Sequence, residues 1–169
     1  MCKELIDSFK TNLSSRISDL AGQRECSELD EIAALWQRAE VGVDGSGPPL
    51  GLVLSMESAD PILGPDQVPE WHALGLRMVS LSHYGTSTYS HGTAKEGGLL
   101  PPARPLLKAL QAAGILVDVT HLTDQAHWEL MDIYDGPVCA SHHNCRILTP
   151  GQRQLTDDMI RSITERDGV

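Results

Sequence analysis

The sequence predicts an α/β fold of consecutive βα units whose strands join in a parallel sheet. Three observations predict it. Four short apolar runs, at 51–57, 76–83, 115–121 and 137–142, have strand length and aliphatic or β-branched content. Helix-like segments at 69–74, 104–113 and 123–134 lie between them, and strands alternating with helices at this spacing form βα units. Each run also ends in a residue able to bind metal or move protons: Glu57, His83, His121 and His142.

Taken in order, residues 1–40 are helical in pattern. Leu5, Ile6, Phe9, Leu13, Ile17 and Leu20 recur at steps of three and four and build one apolar face. Ser27 is placed to cap a second helix, with Leu29, Ile32, Ala33, Trp36 and Ala39 as its inner face. Gly42, Gly45, Gly47, Pro48 and Pro49 then break regular structure. In the βα region, Gly114 closes helix 104–113 as a C-cap. Thr123 caps helix 123–134, and Gly136-Pro137 stops it. Residues 156–166 read as another capped helix, with Gly168-Val169 starting a further strand, so the chain is expected to be cut short. The whole of 1–169 is read as one incomplete domain, a helical lead-in over 1–40 and βα units carrying the site over 51–169.

With 169 residues and 41% apolar content, the chain can bury a real core. Its net charge of -10 repels phosphate backbones, so nucleic acid is excluded as the expected partner. No apolar run approaches the roughly 20 residues that span a bilayer. Met1 to Asp7 carries acids and no apolar signal core, so the chain as written is expected to be cytoplasmic. Cys2, Cys26, Cys139 and Cys145 form no C-x-x-C pair and are read as reduced thiols.

In a parallel sheet all C-terminal strand ends point the same way, and in a (β/α) barrel that face holds the active site. One carboxylate and three imidazoles on consecutive strand ends place oxygen and nitrogen ligands around a common mouth, a donor set that suits zinc. Two imidazoles, His142 and His143, compete for one role. Alternation from Val138 and Ala140 points His142 inward and His143 away, and the ligand is assigned to His142. By the same parity Asp118 faces away from His121 and needs a partner there.

These residues carry a resemblance. Residues 97–124, ending in GILVDVTHLTD, are similar to the segment around a zinc-ligating histidine in the membrane dipeptidases. GPVCASHHNCR at 136–146 resembles the next ligand segment, SMESAD at 55–60 the family's Glu-Gly-Ala segment, and GLRMVSLSH at 75–83 a further signature. The likeness runs in order from about Gly51 to Val169. It implies a partial (β/α)8 TIM barrel of four to five βα units, since eight need about 250 residues. It also implies two zinc ions, a dipeptide substrate and a possible homodimer. Under it, Glu57 bridges both metals, and His121 and His142 complete the ligands of the second. His83 stabilises the oxyanion, and Arg153 pairs with the dipeptide's carboxylate through its forked guanidinium. A metal-activated water is the nucleophile.

The family's first metal takes a His-x-Asp pair, and no such pair occurs here. Ser58 stands where the family usually has Gly. The chain is therefore expected to be a weak or inactive zinc-dependent dipeptidase. Two alternatives stand beside this: another metal-dependent barrel amidohydrolase, and a non-catalytic remnant binding zinc or a partner. Sites of the former kind often use a carbamylated Lys, and no Lys lies at a strand end here, whereas Glu57 does. His72, His91, His127, Trp71 and Trp128 are read as packing or surface residues, and Asp157 and Asp158 as helix-dipole partners.

Overall fold

The computed structural model of the chain describes residues 51–169, together with Ala21–Gly22 and Ala34. The chain divides into two compact units, Met1–Val53 and Leu54–Val169. In the first, strand β1 (Ala21–Gly22) pairs in parallel with β2 (Gly51–Leu52). Ala21–Gly22 is thus strand inside a stretch predicted to be helical. Gly22 is a weak helix former, and the pair's small side chains give a helix face little to bury. Ala34 is helical, and the rest of the predicted helices of 1–40 lie outside the described residues.

The second unit holds β3 (Leu54–Met56), a 3-10 turn (Pro65–Gln67), α1 (Val68–Ala73), β4 (Leu76–Ser80) and α2 (Ala103–Ala112). These are followed by β5 (Leu116–Asp118), α3 (Asp124–Ile133), β6 (Val138–Cys139) and α4 (Asp157–Thr164). Its sheet has the order β3-β4-β5-β6, all parallel. Strands that neighbour one another in sequence order, with a helix in each crossover, make successive units of a (β/α)8 barrel wall. Beside β6, Ala140 N donates to Val169 O at 2.7 Å.

Local chemistry explains the helices. In α2, Ala103, Leu106, Leu107 and Leu110 are buried, the i, i+3, i+4, i+7 stripe of an amphipathic helix. Gly114 ends it at φ +67°, a conformation that favours glycine. Thr123 Oγ1 accepts from Ala126 N at 3.0 Å and Thr156 Oγ1 from Met159 N at 3.3 Å, so both predicted N-caps form. The helix stripes meet Val79, Val117, Val119 and Val138 of the strand region in one core. Each such fully buried aliphatic side chain stabilises the fold by roughly 1.5–3 kcal/mol.

The strands are shorter than the apolar runs predict. β4 stops at Ser80, β5 at Asp118 and β6 at Cys139. At β5 the cause is visible: the Asp118 carboxylate accepts from Thr120 N at 3.0 Å, and His121 takes φ +72°. Side-chain alternation therefore ends before the histidines, and strand parity does not determine where they point.

Candidate metal centre

The register brings the predicted residues to one rim. Ser80, Asp118 and Cys139 form a row across β4, β5 and β6, and Met56 lies opposite Val79. Glu57 therefore falls beside Ser80, level with this row. His83, His121 and His142 each lie three residues past their own member of it, on the chain leaving the C-terminal strand ends.

Their side chains converge. Glu57 Oε1 lies 3.1 Å from His121 Nε2, 3.3 Å from His142 Nε2 and 3.6 Å from His83 Nε2. The Nε2 atoms of His121 and His142 are 3.3 Å apart. Ligands at about 2.0–2.1 Å from a tetrahedral ion are separated by roughly 3.3 Å along each edge. Glu57, His121 and His142 thus form one triangular face of that size, and their donor set fits a divalent ion. His121 forms the floor, with 2% of its side chain exposed, while Glu57, His83 and His142 are each about half exposed at 49%, 48% and 47%. The fourth direction is open to solvent.

Each candidate histidine turns Nδ1 to a hydroxyl and Nε2 to the site. His121 Nδ1 lies 2.9 Å from Thr93 Oγ1, which is also 3.5 Å from His121 O. A hydroxyl accepting from Nδ1–H leaves the Nε2 lone pair toward Glu57, the tautomer a metal ligand needs. His142 Nδ1 lies 2.7 Å from Ser141 Oγ, which donates to Asp118 Oδ2 at 2.6 Å. The same logic leaves His142 Nε2 as a lone pair. Burial, then the charges of Arg153 and His83, hold His121 below the ordinary histidine pKa against the opposing pull of Glu57. That keeps it in the neutral form a metal requires.

Asp118 is buried, as its position on β5 predicts, and its partners are at the rim rather than among the helices. It accepts from Thr120 N, Thr120 Oγ1, Ser141 N and Ser141 Oγ. Burial acts to raise its pKa, but these hydrogen bonds, led by Ser141, outweigh burial and hold it below the usual carboxylate range. The neighbouring His143 turns away from the ligand face. Its Nδ1 lies 3.3 Å from Thr120 Oγ1, and burial lowers its pKa to about 4.

Around the face, Tyr84 stands 63% exposed, its ring centroid 5.0 Å from that of His83 and 5.2 Å from that of His121. Arg153 is partly buried and makes no hydrogen bond or ion pair among the described residues. Its charge reaches His121 and His143. His91 turns into its own loop, with Nδ1 2.9 Å from Gly98 O. His127 is buried rather than at the surface, with Nε2 3.0 Å from Ser162 Oγ and Nδ1 unpartnered among the described residues. Ser58 adopts φ +71°, which explains why glycine suits a position directly after the rim carboxylate. Sequence reasoning missed Thr93 and Ser141. Thr93 comes from the long β4–α2 loop and carries no periodic signal, whereas Ser141 adjoins a candidate ligand and offers a hydroxyl to it.

Parallel βα units with a carboxylate and imidazoles on the C-terminal rim define the class, a metal-site (β/α)8 barrel. Within that class the chain belongs to the membrane dipeptidase family, peptidase family M19, whose model matches residues 32–169. It is similar to dipeptidase tcpJ of Claviceps purpurea, 27% identical over 103 residues, which is 59% of this chain and 24% of that protein. It resembles in structure a metallo peptidase from Rhodobacter sphaeroides bound to a phosphinate mimic of the dipeptide L-Ala-D-Ala. That likeness has a TM-score of 0.74 at 25% identity, over 89% of this chain and 42% of the other. An amidohydrolase from Pseudomonas aeruginosa shares the fold, with a TM-score of 0.80 at 17% identity over 96% of this chain and 47% of that one. The chain spans less than half the length of each of these proteins.

Proposed function

We propose that this chain carries the metal-bearing wall of a zinc-dependent dipeptidase and that, by itself, it is weak or inactive as a catalyst. The observation that carries the reading is the 3.1–3.3 Å triangle of Glu57 Oε1, His121 Nε2 and His142 Nε2. These three residues hold the ion. Zinc, when bound, supplies a water of lowered pKa and polarises the carbonyl to be attacked.

The remaining roles belong to the chain. His83, beside Glu57 on the open side, is in place to donate to the oxyanion that forms at the scissile carbonyl. Arg153, with no protein partner among the described residues, offers a fork to the terminal carboxylate of a dipeptide. The half-exposed Glu57 would also hold a further ion, as the family resemblance implies. The sequence holds no His-x-Asp pair to complete that ion's shell, which supports the low intrinsic activity.

The test combines zinc uptake with hydrolysis of a simple dipeptide such as L-Ala-D-Ala by the purified chain. Zinc uptake with slow or undetectable turnover is expected. Failure to take up zinc contradicts the metallopeptidase assignment, and brisk zinc-dependent turnover contradicts the low activity.

A further inference from the structure

We propose that Asp118, acting through the hydroxyl of Ser141, is a positioning residue that fixes the tautomer of His142. The inference rests on the metal reading above and goes further, because it assigns the selection of the ligand nitrogen to a buried carboxylate that touches no metal.

Asp118 Oδ1 receives Thr120 Oγ1 at 2.6 Å, Thr120 N at 3.0 Å and Ser141 N at 3.2 Å. Two of these are backbone N–H groups, which can only donate. Asp118 Oδ2 has one partner, Ser141 Oγ at 2.6 Å, and an ionised carboxylate can only accept. The single Ser141 proton is thereby committed to Asp118. Ser141 Oγ must then accept from His142 Nδ1, 2.7 Å away, so the ring proton sits on Nδ1. His142 Nε2 is left with its lone pair, 3.3 Å from both Glu57 Oε1 and His121 Nε2. The remaining Oδ1 contacts tie β5 to the turn after β6, so the carboxylate also sets the spacing between the two histidine-bearing strand ends.

The relay has a direction that a single atom reverses. In Asp118→Asn, the three donors at Oδ1 keep the amide oxygen where it is, which turns the amide NH2 toward Ser141. Ser141 Oγ then accepts from residue 118 and gives its own proton to His142 Nδ1. The ring proton moves to Nε2, the nitrogen that faces the site. The substitution is nearly isosteric and leaves the other hydrogen bonds in place. A purely structural role for Asp118 predicts no such change.

The test uses nitrogen-15 NMR of the histidine rings in the metal-free full chain, with zinc affinity measured by competition against a chromophoric chelator. In the unaltered protein His142 is expected as the Nδ1–H tautomer. Asp118→Asn is expected to show the Nε2–H tautomer and to bind zinc about 10–100-fold more weakly. Ser141→Ala removes the lock and is expected to show mixed tautomers, with Ser141→Thr restoring both the tautomer and the affinity. If the unaltered chain binds no zinc, the metal reading fails, while the tautomer shift still tests the relay. If zinc binds and both His142 tautomer and affinity are unchanged in Asp118→Asn and Ser141→Ala, the relay is overturned. Should Asp118→Asn fail to fold, the Ser141 pair decides alone.

Discussion

At the residue scale, His127 shows how a side chain outside the site contributes to stability. It is 1% exposed, its Nε2 is bound to Ser162, and burial lowers its pKa to about 4. An unfolded histidine titrates near 6.5. The folded chain therefore resists protonation that the unfolded chain accepts. Stability is fully present above pH 6.5 and is lost as pH falls from 6.5 through about 4, by up to about 3 kcal/mol. Asp60, Asp118 and Asp124 have lowered pKa values, so their contributions are lost only below the ordinary carboxylate value of 3.8 and the two windows separate. Urea unfolding of the metal-free protein at pH 7.5 and pH 4.5 should show this loss, and His127→Gln should reduce it, leaving the share of His143, whose pKa burial also lowers to about 4. The rim residues were legible one at a time, because each ends an apolar run. Their directions were not, because His121 sits at φ +72° and the strands stop three residues before the histidines.

At the scale of elements, the loop between β4 and α2 holds the His121 side of the site. Gly92 lies against β4's exit so closely that a Cβ there would meet His83 O at 2.2 Å and Ser82 Oγ at 2.9 Å. The next residue, Thr93, anchors the His121 ring, and Thr93 N donates to His83 O at 3.0 Å. Gly92→Ala is expected to push the loop off the rim, release Thr93 from His121 and weaken zinc binding at least about tenfold. Chelator competition measures the affinity, and unaltered binding would show that the loop does not support the ligand. Helices and caps were readable because their signals are local: Thr123, Thr156 and Gly114 each act within a few residues. This loop was not, since its bonds join Gly85 to Thr93 and Gly92 to the Leu122 region through backbone geometry rather than side-chain pattern.

At the scale of the whole molecule, the parallel order β3-β4-β5-β6 turns four separated stretches of sequence into one rim that carries Glu57, His83, His121 and His142. Alternating strands and helices announced that topology, and family membership over residues 32–169 agrees with it. The two-residue strand Ala21–Gly22 was hidden, being too short and too small to leave a pattern. Among the described residues no helix is long and apolar enough to cross a membrane. The central claim is that Glu57, His121 and His142 hold a metal ion together. Zinc stoichiometry by elemental analysis after dialysis tests it most directly, in the unaltered chain and in Glu57→Gln, His121→Ala and His142→Ala. About one zinc per chain, lost or strongly reduced in each variant, is the predicted result. Zinc retained undiminished in all three variants would contradict it.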